Sequence, residues 1–207
     1  MSAITLYRHP LSGHSHRVEA FLSILGLQAD IVDVDLMGGA HKKPEFLQKN
    51  IFGQVPVLTD GDITLSDSNA ILVYLASAYD PKRTWLPQHP VAQADVQRFL
   101  SMAAGKVAYG PAAARLVTLF GAGLDHQHAI TSAHAMLAVL DSHLAHRQYL
   151  VGDGPTIADI ANYAYIAHAP EGGVDLGNYA NVRNWLKRIE ALEGFVPMQK
   201  SPVGLCA

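Results

Sequence analysis

With 207 residues, 49% hydrophobic and 16% charged, the chain can bury a sizeable core and is globular, not disordered. Its 15 Lys and Arg against 18 Asp and Glu leave a net charge of -3, which provides no broad basic field for nucleic acid or an anionic membrane and points to a small-molecule partner. No apolar run reaches the roughly 18 residues of a membrane span, no basic leader with a long apolar run is seen, and a single cysteine, Cys206, excludes an internal disulfide. A cytoplasmic location is expected.

The segment Ala3 to Tyr7 is short, apolar and bounded by Arg8-His9-Pro10, as a buried first strand would be. A polar loop, Leu11-Ser-Gly-His-Ser-His-Arg, follows, and then Val18, Phe21, Leu22 and Leu25 recur at helical spacing until Gly26. Ile31 to Val34 predicts a second strand, and the glycine-rich loop from Met37 leads to a short helix around Pro44 to Gln48. Gly53 to Leu75 reads as a strand, a tight turn at Asp60-Gly61, another strand, and a helix with Ile71, Tyr74, Leu75 and Ala78 on one face. Pro56 has no N–H to give a sheet, so Val55-Pro56 belongs at an edge or a special turn. Ser66-Asp67-Ser68-Asn69 brings hydroxyls, an acid and unpaired N–H groups to a positive helix end, which suits a carboxylate.

This order of elements predicts a thioredoxin-like α/β domain over residues 1–79. Three prolines between Asp80 and Pro90 mark a linker, 80–89. From residue 90 to 207 every clear period is helical, as in Val96, Phe99, Leu100 and Ala103, or Val182, Trp185, Leu186 and Ile189. An all-α bundle is therefore expected there. Within it Thr156-Ile-Ala-Asp159 fits a capping box at the start of a buried helix.

Asn50-x-x-Gly-Gln-Val-Pro-Val-Leu, then Asp-Gly-Asp and Leu65-Ser-Asp-Ser-x-Ala-Ile-x-x-Tyr-Leu, closely resembles the glutathione-binding half of the cytosolic glutathione S-transferases. The resemblance covers nearly the whole chain and implies a bacterial-type member with phi-class-like motifs. It implies a cis bond at Val55-Pro56, pairing of the Val55 backbone with the cysteinyl part of glutathione, and a γ-glutamyl site at Asp67 and Ser68. Asp67 is a methylene shorter than the Glu most common there. His41-Lys42 ahead of Pro44-Glu-Phe-Leu resembles the pair that holds the glycine carboxylate, and Gln54 carries over as a contact near that end. Ser12-x-x-x-x-Arg-Val resembles the phi-class segment that supplies the catalytic serine. The second substrate of this family lies between the domains, where Tyr109, Arg115 and Phe120 are candidates. A homodimer, each first domain packed on the other chain's helical domain, is implied as well.

The chemistry needs little else. The thiolate is the nucleophile, and a thiol of pKa about 8.5 is only about 3% ionised at pH 7. Lowering that pKa by about two units is worth about 2.7 kcal/mol, close to the 1.5–3 that one hydrogen bond to a charged group supplies. One hydroxyl at the start of the first helix is nearly enough, so no metal or redox cofactor is expected and glutathione is the co-substrate. Ser12 and Ser15 both stand there, with Tyr7 just before. The register against Arg17-Val18 favours Ser12, with the helix starting near Ser15 and capped by it. Transfer of glutathione to small hydrophobic electrophiles is the expected function. The alternatives are glutathione-dependent reduction of peroxides or disulfides, and non-catalytic ligand binding, which has no need for Ser12, Gln54, Asp67 and Ser68 together. The histidine pairs His14/His16, His126/His128 and His143/His146 lack a cysteine cluster or a His-Glu-x-x-His to complete a metal site. Spacing gives no support to His14 or His16 as a base beside Ser12.

Overall fold

The computed structural model describes residues 4–201; Cys206 lies outside them. Strands β1 (Ile4–Arg8), β2 (Ala29–Asp33), β3 (Val57–Asp60) and β4 (Ile63–Ser66) form one sheet in the order β2-β1-β3-β4. β1 and β2 run parallel and so need a crossover, which helix α1 (Gly13–Ile24) provides. β3 pairs antiparallel with β1 and with β4, and Gly61 takes the left-handed conformation in the turn between them. The Val55-Pro56 bond is cis. β2 starts two residues earlier than the apolar run suggested and is an edge strand, with Ile31 and Val32 exposed. Val34, just past it, is buried with Phe46 of α2 (Pro44–Leu47) and Val57.

α3 (Ser68–Tyr79) packs beside α1, and both meet α7 (Ile157–Ala167) of the helical half. Leu6, Phe21, Leu58 and Leu75 thus share one apolar core with Phe99, Leu137, Ile157 and Trp185. The helical half also holds α4 (Pro90–Met102), α5 (Ala113–Phe120), α6 (His126–Leu144) and α8 (Ala180–Glu190). Among the described residues no strand follows Ser66, and no helix is long and apolar enough to cross a membrane.

α4 and α5 are one continuous helix joined by a π-helical stretch, Ala103–Ala112. Pro111 lies inside it, and a proline in an α-helix loses an N–H bond and collides with the carbonyl four residues back. The wider π turn accommodates that ring without ending the helix. Gly110 lets the same stretch lie against α6, where a Cβ would come 3.1 Å from the Ala133 backbone.

Candidate active site

A cavity of about 850 Å³ opens between the sheet half and the helical half. Ser12, His41, Lys42, Gln54, Val55, Asp67 and Ser68 all line it, brought in by four separate loops and helix starts. Across from them stand Ala108 and Ala112 of the π stretch and Arg115, Leu116 and Phe120 of α5.

α1 begins at Gly13, and its cap is Ser12, whose Oγ accepts from the Ser15 N–H at 3.2 Å. This corrects the expectation that Ser15 is the cap. Ser15 is buried, and its Oγ accepts from the His9 N–H at 3.2 Å, which ties α1 to the loop after β1. Capping uses only a lone pair of the Ser12 hydroxyl, so its O–H remains free to donate into the cavity. Tyr7 is explained by packing, its ring set edge-on to Phe46.

Asp67 caps α3, its Oδ1 accepting from Ala70 N–H at 2.9 Å, and it holds φ at 71°. A positive φ on a non-glycine residue is uncommon, and Asp is among the few that tolerate it. The Ser68 hydroxyl behind it accepts from Arg17 Nη1 at 3.0 Å, and the same Nη1 donates to His14 Nδ1 at 2.7 Å. With Nδ1 accepting, the His14 proton sits on Nε2. Burial, then the adjacent Arg17 charge, lowers the His14 pKa to about 3, and burial lowers that of His16 to about 4. Neither can serve as a base near neutral pH.

Arg17 is fully buried and held down to about 10 by that burial, so it stays charged. Its hydrogen bonds go to neutral groups, and its Nε and Nη2 have no partner among the described residues. The nearby Asp67 charge and the Tyr165 ring, 5.6 Å away, offset part of the cost of burying it, and an anion hydrogen-bonded in its vicinity would offset more. The cavity floor at Ser68 is thus primed for a carboxylate.

At the opposite end the Lys42 ammonium donates to the carbonyls of Phe52 and Gly53, each at 3.2 Å, and keeps a cation at the cavity edge. Gly53 has φ +57°, and a Cβ there would fall 2.6 Å from the His41 carbonyl. Asn50 Nδ2 fixes the Gln54 carbonyl at 2.9 Å. Among the described residues none hydrogen-bonds to the Val55 backbone, which leaves its N–H and C=O available to an extended ligand.

Residues 2–77 match the family "Glutathione S-transferase, N-terminal domain" and residues 124–193 match "Glutathione S-transferase, C-terminal domain". The chain is 36% identical to glutathione S-transferase 3 of Zea mays over 94% of this chain and 92% of that one. It belongs to the glutathione S-transferase family. The crystal structure of a glutathione S-transferase from Pseudomonas fluorescens superimposes with a TM-score of 0.88 at 32% identity, covering 96% of this chain and all of that one. A glutathione transferase homologue from Drosophila mojavensis, solved with bound glutathione, gives 0.82 at 29% identity over 93% and 89% of the two chains.

In this transferase Tyr109 lies outside the interdomain cavity. It is 76% exposed and lines a second, apolar groove between the α4–π segment and α6. The π turn explains the difference, because its wider period directs Ala108 and Ala112 inward and turns Tyr109 away. Local pattern gives no sign of the parts that Leu11 and Tyr165 play in lining the cavity. Arg17 does carry a signal: with Gly13, Ala20 and Phe21 it falls on the buried stripe of α1, where a charge needs a reason. Among the described residues no three His, Cys, Asp or Glu side chains are grouped to hold a metal ion.

Proposed function

We propose that this glutathione S-transferase binds glutathione along the sheet side of the cavity and uses Ser12 to hold its sulfur as the thiolate. The Arg17 guanidinium behind Ser68, buried and without an anionic hydrogen-bond partner, is the observation that carries the reading. Ser68 Oγ accepts from Arg17 and lies 3.3 Å from His14 Nδ1, a long contact that a ligand acceptor can displace as the O–H turns toward the cavity. The γ-glutamyl carboxylate fits there, where the N-terminus of α3 adds its dipole. Asp67 Oδ2 is left for the ligand's amino group, the Val55 backbone for its cysteinyl amide, and His41, Lys42 and Gln54 for its glycine carboxylate. The Drosophila mojavensis homologue's bound glutathione supports this choice of ligand.

This places the sulfur near the start of α1, where the Ser12 O–H and the helix dipole both favour the negative form. The thiol proton leaves to water. The thiolate then attacks an electrophilic carbon, forming a C–S bond as the leaving group departs or a strained ring opens. Leu11, Leu116 and Phe120 offer that electrophile an apolar wall, which supports small hydrophobic acceptors. The reaction calls for no further cofactor. A homodimer, with exposed Ile51 and Phe52 on one face and the groove of about 960 Å³ beside α6 on another, is supported by these apolar surfaces. Sedimentation at monomer mass at micromolar concentration would reject it. A cytoplasmic location follows from the same family reading and from the lone cysteine.

Ser12→Ala is expected to raise the pKa of bound glutathione by about two units and to lower the ionised fraction at pH 7 about 25-fold. Affinity for glutathione should change little. Titrating the thiolate absorbance of the complex tests this, and an unmoved titration rejects Ser12. Ser68→Ala is expected to weaken glutathione binding by about 1–3 kcal/mol while leaving the thiolate titration in place. Unchanged affinity by calorimetry would remove the γ-glutamyl assignment. Turnover of aryl halides and epoxides, set against organic peroxides and mixed disulfides, separates conjugation from reduction.

A further inference from the structure

We infer that Arg115 is a positioning residue for the Ser12 hydroxyl and that buried Glu171 holds it in place; the inference rests on the reading of Ser12 as the thiolate's donor. Arg115 lines the cavity, yet it is only 2% exposed and two of its nitrogens are committed. Nε donates to Glu171 Oε2 at 2.5 Å, and Nη1 donates to the Leu11 carbonyl at 2.7 Å, 104 residues away in sequence. Nη2 is shielded from solvent, so a second substrate does not reach it in this arrangement.

The Leu11 carbonyl and the Ser12 N–H belong to one rigid peptide plane. The Ser12 N–H donates to the His9 carbonyl at 2.9 Å, a bond within the loop itself. The carbonyl on the other edge of that plane is held from the helical half by Arg115. With both edges fixed, the plane's tilt is set, and with it the direction in which the Ser12 side chain leaves the backbone. A loop held only by its own turn would leave that direction softer.

Glu171 is fully buried and lies in the short turn after α7, Ala169–Gly172. Its Oε1 accepts from His168 Nδ1 and from the Ser201 N–H, both at 3.0 Å, so the carboxylate is itself clamped. Gly172 brings it there. A Cβ on that residue would lie 2.5 Å from the Arg115 nitrogen, so the turn seats directly on the α5 backbone. A buried ion pair is a poor device for stability, since apolar residues of equal volume often do as well. The planar guanidinium fork holds a carboxylate and a backbone carbonyl at once in a fixed geometry, which an apolar side chain cannot do and the flexible point charge of a Lys does not fix.

Two variants separate this role from folding. Arg115→Lys keeps a cation beside Glu171 but loses the fork, and Arg115→Met with Glu171→Gln removes both charges together. Each is made in the wild-type and in the Ser12→Ala background, checked for folding by thermal unfolding, and read by thiolate titration, kcat at pH 7 and glutathione calorimetry. In the wild-type background both are expected to raise the pKa of bound glutathione and lower kcat by about 10- to 100-fold, as displacements of the order of 1 Å do. Glutathione affinity should stay unchanged. In the Ser12→Ala background neither should add a further shift. An unmoved titration in the wild-type background, or an equal shift in both, overturns the inference while leaving Ser12 in its role. If Ser12→Ala itself moves nothing, the reading of Ser12 fails and the inference goes with it.

Discussion

Asp159→Ala is expected to destabilise the protein by about 3–5 kcal/mol, because one carboxylate satisfies several buried donors whose loss leaves them unpaired. Asp159 is fully buried. Its Oδ2 accepts from Thr156 N–H at 2.9 Å and from the Thr156 hydroxyl at 3.2 Å. Its Oδ1 accepts from Leu150 N–H and from Trp185 Nε1, each at 2.9 Å. The capping box at the start of α7 is therefore also the joint between α7, the loop before it and α8. Each orphaned N–H costs about 1–3 kcal/mol, and local relaxation recovers part of the sum. Thr156→Ala removes only the cap to the Ala158 N–H and the contact with Asp159, so about 1 kcal/mol is expected. α7 packs on α1, α3, α4 and α8 and carries Tyr165 into the cavity, so a shifted α7 reaches the site too. Urea unfolding of both variants at fixed protein concentration measures the difference. A loss below about 1 kcal/mol for Asp159→Ala would mean that water replaces the carboxylate and the joint is not what holds these helices.

What was legible in the sequence is what local pattern decides. The strand and helix order, Gly26 ending α1, and the Thr156–Asp159 box all rest on residues within a turn or two of one another. The cis bond at Pro56 came from the family resemblance, since proline alone leaves the isomer open. Roles that depend on a distant partner were out of reach. The cap of α1 is a local matter that spacing alone does not decide: the Ser15 hydroxyl accepts from the His9 N–H, and Ser12 caps. Arg115 lines the cavity as expected, but its bonds to Leu11 and Glu171, 104 and 56 residues away, leave no trace in local pattern. Tyr109 is a candidate only through the interdomain site that the family resemblance implies, and the π stretch around Pro111 turns it to another face.

Lowering the pH from 7 to 5 is expected to cost about 4 kcal/mol of stability, carried chiefly by His14 and His16. His14 and His16 stay neutral, with pKa values lowered to about 3 and about 4, mainly by loss of hydration, and further by the Arg17 charge for His14 and by the His168 and Arg17 charges for His16. In the unfolded chain both titrate near 6.5. As the pH falls through 6.5 the unfolded state takes up protons on both rings that the folded state refuses, so the equilibrium moves toward unfolding, and His9 and His168, also lowered by burial, act in the same direction. Each histidine contributes about 1.4 kcal/mol per pH unit below 6.5, or about 2 by pH 5, and the loss continues until the folded pKa is passed. Asp159 opposes this, since burial outweighs its donors and holds its carboxyl above the ordinary value, so the folded state binds that proton first. Glu171 acts with the histidines but lower in the range: burial pushes it up, yet the Ser201 N–H, His168 and Arg115 hold it below the usual value. His16 Nε2 donates to the Val196 carbonyl at 2.8 Å, so His16→Gln can keep a donor there while removing the titrating ring. Urea unfolding at pH 7 and pH 5 should show the drop in the wild type and a drop smaller by about 2 kcal/mol in His16→Gln. A wild-type loss under about 1 kcal/mol, or a Gln variant that retains the whole pH dependence, would show that these rings are not what limits acid stability.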